Sequence, residues 1–196
     1  MISSHQESGF SLVETLVAIT ILLLVIVGPM SISSSVARST SYSSEQVVAF
    51  FLAQEGAELA QKARDDLQLQ YFDGSNENPW ADFTGTDSND PYYRCFEASG
   101  CGLQLRDGDA NGELASPINC GNSNPCRLHI NKDGGRARYT YSPTDTTITP
   151  YSRIITMKET SGREVEIISR VSWQTGGQRR VQTVEAKTYL FNVYKE

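Results

Sequence analysis

Hydrophobic and polar residues are segregated along this chain rather than mixed. After the polar opening Met1-Ile-Ser-Ser-His-Gln-Glu-Ser-Gly9, no charged residue occurs from Thr15 to Ala37. The centre of that run, from Leu16 to Val27, is apolar on every helical face, which suits lipid or an all-hydrophobic bundle better than a half-exposed helix. At about 1.5 Å per residue the run reaches roughly 34 Å as a helix, long enough to cross a bilayer. Gly28-Pro29 interrupts it. A proline inside a helix removes one backbone hydrogen bond and crowds the preceding turn, so the pair predicts a kink or local break. The Ser-rich stretch from Ser31 to Ser44 has lower helix propensity than its neighbours.

From Glu45 a helical period returns, with Ala49, Leu52, Ala53, Gly56, Leu59, Ala60, Ala63 and Leu67 on one stripe. Between Asp73 and Pro91 the residues turn to Gly, Asn, Asp, Ser and Pro, which read as loop. Beyond Tyr139 the period becomes two, and Tyr151–Lys158, Glu164–Trp173 and Arg180–Phe191 predict three strands. Ser161-Gly162 and Gly176-Gly177 favour an antiparallel meander, and segments at Arg127–Ile130 or Arg138–Tyr141 add a hairpin. The apolar face of such a sheet must be covered, and the stripe from Ala49 to Leu67 is the long amphipathic element available for it. The expectation is an α+β fold. A long N-terminal helix, its hydrophobic half protruding, packs its amphipathic half on a C-terminal antiparallel sheet of three to five strands. The expected divisions are a polar segment at 1–9, an apolar helix long enough to cross a membrane at 10–37, an amphipathic helix at 38–71, a loop-rich insertion at 72–138 and a sheet at 139–196, with 38–196 forming one globular head.

The chain has 196 residues, 39% of them hydrophobic, enough for one domain with an appendage. Its net charge of -6 and the lack of any Lys/Arg-rich run argue against a nucleic-acid surface. Cys95, Cys101, Cys120 and Cys126 form two equally spaced pairs, and in an exported chain disulfides are the first reading, with three connectivities open. Zinc is the rival, but neither spacing is C-x2-C and only His129 is near. The run Asp107-Gly-Asp-Ala-Asn-Gly-Glu113 has oxygen side chains at alternate positions, resembling the start of a calcium loop, with Asp107, Asp109, Asn111 and Glu113 as ligands of a possible structural calcium. Ile118 stands where a full loop needs its closing glutamate. No H-E-x-x-H, G-x-S-x-G or phosphate-binding glycine loop occurs, so no catalytic residue is assigned and no enzyme is expected.

Two processing routes compete for the N-terminus. Ser35-Val36-Ala37 offers a secretory cleavage site, but the segment before the apolar run has no Lys or Arg, and Glu14 immediately precedes it. The other route is carried by Gly9-Phe-Ser-Leu-Val-Glu-Thr-Leu-Val-Ala18 and the aliphatic run behind it, which resembles the N-terminus of type IV pilins and pseudopilins. The leader departs from that family in having no Lys or Arg, so it lacks the usual positive-inside signal.

The resemblance implies cleavage after Gly9 by a membrane prepilin peptidase, methylation of the new N-terminus at Phe10, and an assembly role for Glu14. Independently, an ionised carboxylate near membrane depth is costly without a partner, and the α-amine of Phe10 in a neighbouring subunit is one. Gly28-Pro29 then serves as a joint in the helix. The implied partners are other pilin subunits, the peptidase, a pilus or secretion assembly platform, and membrane lipid before assembly. The implied location is the cytoplasmic membrane, single-pass with the C-terminal part outside, then a surface filament. The long insertion and four cysteines incline the reading to a minor pilin. The alternatives are a type II secretion pseudopilin, and a membrane-anchored extracytoplasmic binding domain outside any filament.

Overall fold

In the computed structural model the described residues are 11–85, 87–106, 112–121, 126–131, 137–144, 146–174 and 180–193. The fold is α+β. Helix α1 runs without interruption over Leu12–Phe72, followed by the short helices α2 (Pro79–Thr84) and α3 (Tyr93–Phe96). Seven strands come next: β1 (Cys101–Gly102), β2 (Ile118–Asn119), β3 (Arg127–Asn131), β4 (Arg138–Thr140), β5 (Thr146–Ser161), β6 (Glu164–Trp173) and β7 (Gln182–Phe191). The chain divides into two compact units, Met1–Glu45 and Gln46–Glu196.

In the first unit the described part of α1 has no buried residue. Its hydroxyls bond back to the helix: Thr15 Oγ1 donates to the Leu12 carbonyl (2.9 Å), Thr20 Oγ1 to Leu16 (2.7 Å), Thr40 Oγ1 to Val36 (2.9 Å) and Ser43 Oγ to Ser39 (2.9 Å). These four hydroxyls are thus satisfied without water. The Ser-rich segment continues as helix despite its propensity.

The second unit holds every buried side chain among the described residues, from Ala49 to Leu190, together with both cysteine pairs. All eight residues of the stripe from Ala49 to Leu67 are buried. They meet the inward face of the sheet, where Ile155 and Met157 of β5, Val165 and Ile167 of β6 and Leu190 of β7 join Leu59, Ala60, Ala63 and Leu67 in one cluster with Phe83, Tyr92 and Leu103. Strands β5, β6 and β7 form the expected antiparallel meander, with Ile155 opposite Ser169 and Ser169 opposite Ala186. The β3–β4 hairpin lies along the first half of β5, and β1 with β2 pairs at Ile155.

The sheet is larger than the three to five strands expected. β1 and β2 are two residues each, too short to show alternation, and exist only through pairing with β5 and each other. The stretch from Asp73 to Pro91, read as loop, contains α2. Asn78 caps it by accepting a hydrogen bond from the Ala81 N–H (3.2 Å), Pro79 opens the first turn, and Phe83 is its buried residue.

Candidate functional site

The N-terminal end of α1 carries the residues with the sharpest sequence signal. Gly9 and Phe10 lie outside the described residues. Glu14 sits in the first turn of α1, where a carboxylate favours the positive end of the helix dipole, and it is exposed. Around it Leu12, Val13, Leu16 and Val17 are 81%, 70%, 60% and 48% exposed. This apolar surface continues through Ile32 and Val36. The helix is long and apolar enough to cross a membrane. Burying each of these large side chains is worth about 1.5–3 kcal/mol, so the segment demands an apolar environment that the described chain does not supply.

Gly28 and Pro29 lie inside α1, and the helix continues past them. A methyl group at Gly28 would meet nothing within 4 Å, so packing within the chain does not require glycine there.

The portion of α1 within the second unit is fastened to the sheet by a charged residue that the sequence reading did not single out. Arg153 of β5 is fully buried. Its Nη1 donates to the Leu52 carbonyl (3.2 Å) and to Glu55 Oε2 (2.6 Å), Nη2 to the Leu103 carbonyl (3.0 Å), and Nε to the Tyr141 hydroxyl (3.0 Å). The Tyr141 hydroxyl in turn donates to the Arg153 carbonyl at 3.1 Å. One guanidinium therefore ties the helix, the segment after β1 and the end of the β3–β4 hairpin to the central strand. The signal was the alternation itself, because Arg153 falls on the same parity as Tyr151 and Ile155. At Gly56 the helix lies close against the sheet: a Cβ there would stand 2.2 Å from Ser169 Oγ and 3.0 Å from Arg153 Cδ.

Cys95 and Cys101 are brought to disulfide distance (Cα–Cα 4.6 Å), as are Cys120 and Cys126 (5.2 Å). The first pair is fully buried in the core and the second is nearly so. Of the candidate calcium ligands, Asp107, Asp109 and Asn111 lie outside the described residues. Glu113 accepts a hydrogen bond from Arg106 Nη1 at 2.7 Å, and the two flank a small antiparallel bridge between Leu105 and Leu114. Among the described residues no group of three His, Cys, Asp or Glu side chains is placed to hold a metal.

Residues 4–28 match the family model described as the prokaryotic N-terminal methylation motif. No curated protein and no solved structure matches the chain.

Proposed function

We propose that this chain, whose methylation motif is the signature of type IV pilins and pseudopilins, is a minor subunit of a pilus-like filament. The motif points to a structural protein rather than an enzyme. Prepilin peptidase cuts after Gly9 and the new N-terminus at Phe10 is methylated. α1 first lies in the cytoplasmic membrane with the second unit outside, and then joins the helices of other subunits, passed on by an assembly platform. The observation that carries this reading is the apolar surface of α1 from Leu12 to Val36, uncovered by any described residue and overlapping the signature at residues 4–28.

Lipid and a bundle of aliphatic helices are about equally apolar, so the hydrophobic effect keeps α1 out of water without favouring filament over membrane. Glu14 supplies the bias. An ionised carboxylate at bilayer depth costs about 2.5–3.5 kcal/mol on insertion scales, and pairing with the α-amine of Phe10 in an adjacent subunit relieves both charges at once. The pairing also fixes the axial register of one subunit on the next.

The cysteine pairs and the long insertion support a low-copy subunit over the shaft subunit. A type II secretion pseudopilin uses the same processing and the same helix. Replacing Glu14 by Ala should leave leader cleavage and membrane insertion intact while reducing incorporation into sheared filaments about tenfold or more, the equivalent of 1.4 kcal/mol. Glu14→Asp should restore part of it. Unchanged incorporation of Glu14→Ala would overturn the charge-pairing step.

A further inference from the structure

β7 is the outer strand of the meander and, among the described residues, pairs only with β6. Its register is continuous from Gln182 opposite Trp173 to Phe191 opposite Glu164, with no bulge and no proline. Just beyond the strand the Asn192 N–H donates to the Arg163 carbonyl, while the Phe191 carbonyl faces the other way and accepts from Arg64 Nη1. Backbone groups alternate sides along a strand. Thr183, Glu185, Lys187 and Tyr189 therefore direct their N–H and C=O groups away from β6, and among the described residues nothing pairs with them. A long, regular, uncapped edge of this kind is a template for another strand.

The charges along the edge say which strand. Read about Ala186, the sequence Thr183-Val-Glu-Ala-Lys-Thr-Tyr189 is complementary to itself. A second copy laid antiparallel with Ala186 opposite Ala186 puts Glu185 opposite Lys187 twice, and Thr183 opposite Tyr189 twice. In that register the facing residues are the four with free backbone groups, so each facing pair can exchange two hydrogen bonds. A shift of two residues in either direction sets Glu185 against Glu185 or Lys187 against Lys187. Within one chain Glu185 already accepts from Arg170 Nε at 2.6 Å, and Lys187 pairs with Glu166. The paired edges thus extend a row of alternating sign: Arg170, Glu185, the second copy's Lys187 and its Glu166. On the inward face Val184, Ala186 and Thr188 are half-buried, and small enough to meet their counterparts across the junction.

We propose that β7 is a self-association edge whose partner is the β7 strand of a second copy, paired antiparallel about Ala186. The two-fold axis of such a pair is perpendicular to the sheet, so it reverses the direction of the part of α1 that lies on the sheet. Neighbours in one parallel array of helices cannot make this contact. It joins heads pointing in opposite directions, as on two filaments; that last step rests on the filament reading, whereas the strand pairing does not.

Cysteine crosslinking of the full-length chain in detergent tests the register. Non-hydrogen-bonded antiparallel pairs have Cα atoms about 4.5 Å apart, within disulfide reach. Ala186→Cys should form a covalent dimer under mild oxidation about tenfold faster than Val184→Cys or Thr188→Cys alone, whereas those two variants mixed should crosslink to each other. Equal rates for all three single variants, or no dimer with Ala186→Cys, would overturn the proposal. A charge test guards against misfolding of any one cysteine variant. Glu185→Lys and Lys187→Glu should each be monomeric by sedimentation, and their equimolar mixture should give a heterodimer because both ion pairs are restored. A monomeric mixture, or dimers of either variant alone, would count against β7 pairing.

Discussion

Replacing Gly56 with alanine should destabilise the head even though alanine is the better helix former. In an exposed helix interior the change gains about 1 kcal/mol. Here the added carbon would stand 2.2 Å from Ser169 Oγ, 3.2 Å from Ser169 Cβ and 3.0 Å from Arg153 Cδ, where α1 lies against the sheet. Overpacking of a filled core costs about 1–3 kcal/mol, and moving the helix outward would strain the two bonds that Arg153 makes to it, at the Leu52 carbonyl and Glu55. The net expectation is a loss of roughly 1–2 kcal/mol. Ser169 offers an internal control, since its buried hydroxyl has no hydrogen-bond partner. Ser169→Ala should be neutral or slightly stabilising, because it deletes an unsatisfied polar atom. In the double variant the 2.2 Å clash is gone and the nearest atoms are Arg153 Cδ at 3.0 Å and the Cβ of residue 169 at 3.2 Å, so the two changes should couple favourably by at least about 0.5 kcal/mol. Urea unfolding of Gln46–Glu196, followed by circular dichroism across the double-mutant cycle, measures each term. A stabilised Gly56→Ala, or a coupling indistinguishable from zero, would refute the close-approach argument.

Arg153→Leu should cost about 2–4 kcal/mol, because it leaves the Leu103 carbonyl without its donor and opens a void in a filled core. Glu55→Gln should cost under about 1 kcal/mol, since that carboxylate is 43% exposed and the amide keeps an acceptor; equal losses in denaturant titrations would contradict the asymmetry. Burial and the nearby Asp66 carboxylate push the Tyr92 hydroxyl up to about 12, and burial raises Tyr141 as well. A raised folded-state pKa stabilises below the unfolded value near 10 and is lost as pH rises through the folded one. The head should therefore hold its stability up to about pH 10 and lose roughly 2 kcal/mol or more by about pH 12. Tyr92→Phe should flatten that slope in unfolding measured from about pH 8 upward, and an unchanged slope would remove Tyr92 from the account.

The parts of this fold written in a long period were legible. The stripe from Ala49 to Leu67 is buried at every position named, and over about five turns the apolar face repeats often enough to be read. The strands expected at Glu164–Trp173 and Arg180–Phe191 correspond to β6 and β7, where alternation covers ten residues. β1 and β2 gave no such signal, since their existence depends on partners far away in sequence. The same non-locality left three cysteine connectivities open. The two local pairs are identified by the distances in the fold, Cα–Cα 4.6 Å for Cys95 and Cys101 and 5.2 Å for Cys120 and Cys126. Arg153 shows a different limit, because parity placed it inward but hydropathy argued against a guanidinium in a core. Its four bonding partners come from three segments distant in sequence, and only their convergence makes the burial affordable. At the N-terminus the situation is reversed: Gly9, Phe10 and Glu14 carry a local motif, and the structure adds the exposure of the helix behind it.

The most direct test of the filament account is the mature N-terminus of the protein isolated from membranes, determined by intact mass and terminal peptide sequencing. The account requires a chain that begins at Phe10 with a methylated α-amine. A chain beginning at Arg38 would remove Glu14 and the apolar helix from the mature protein, and retention of Met1 would leave an unprocessed membrane anchor. Either result would contradict assembly through a freed Phe10 amine.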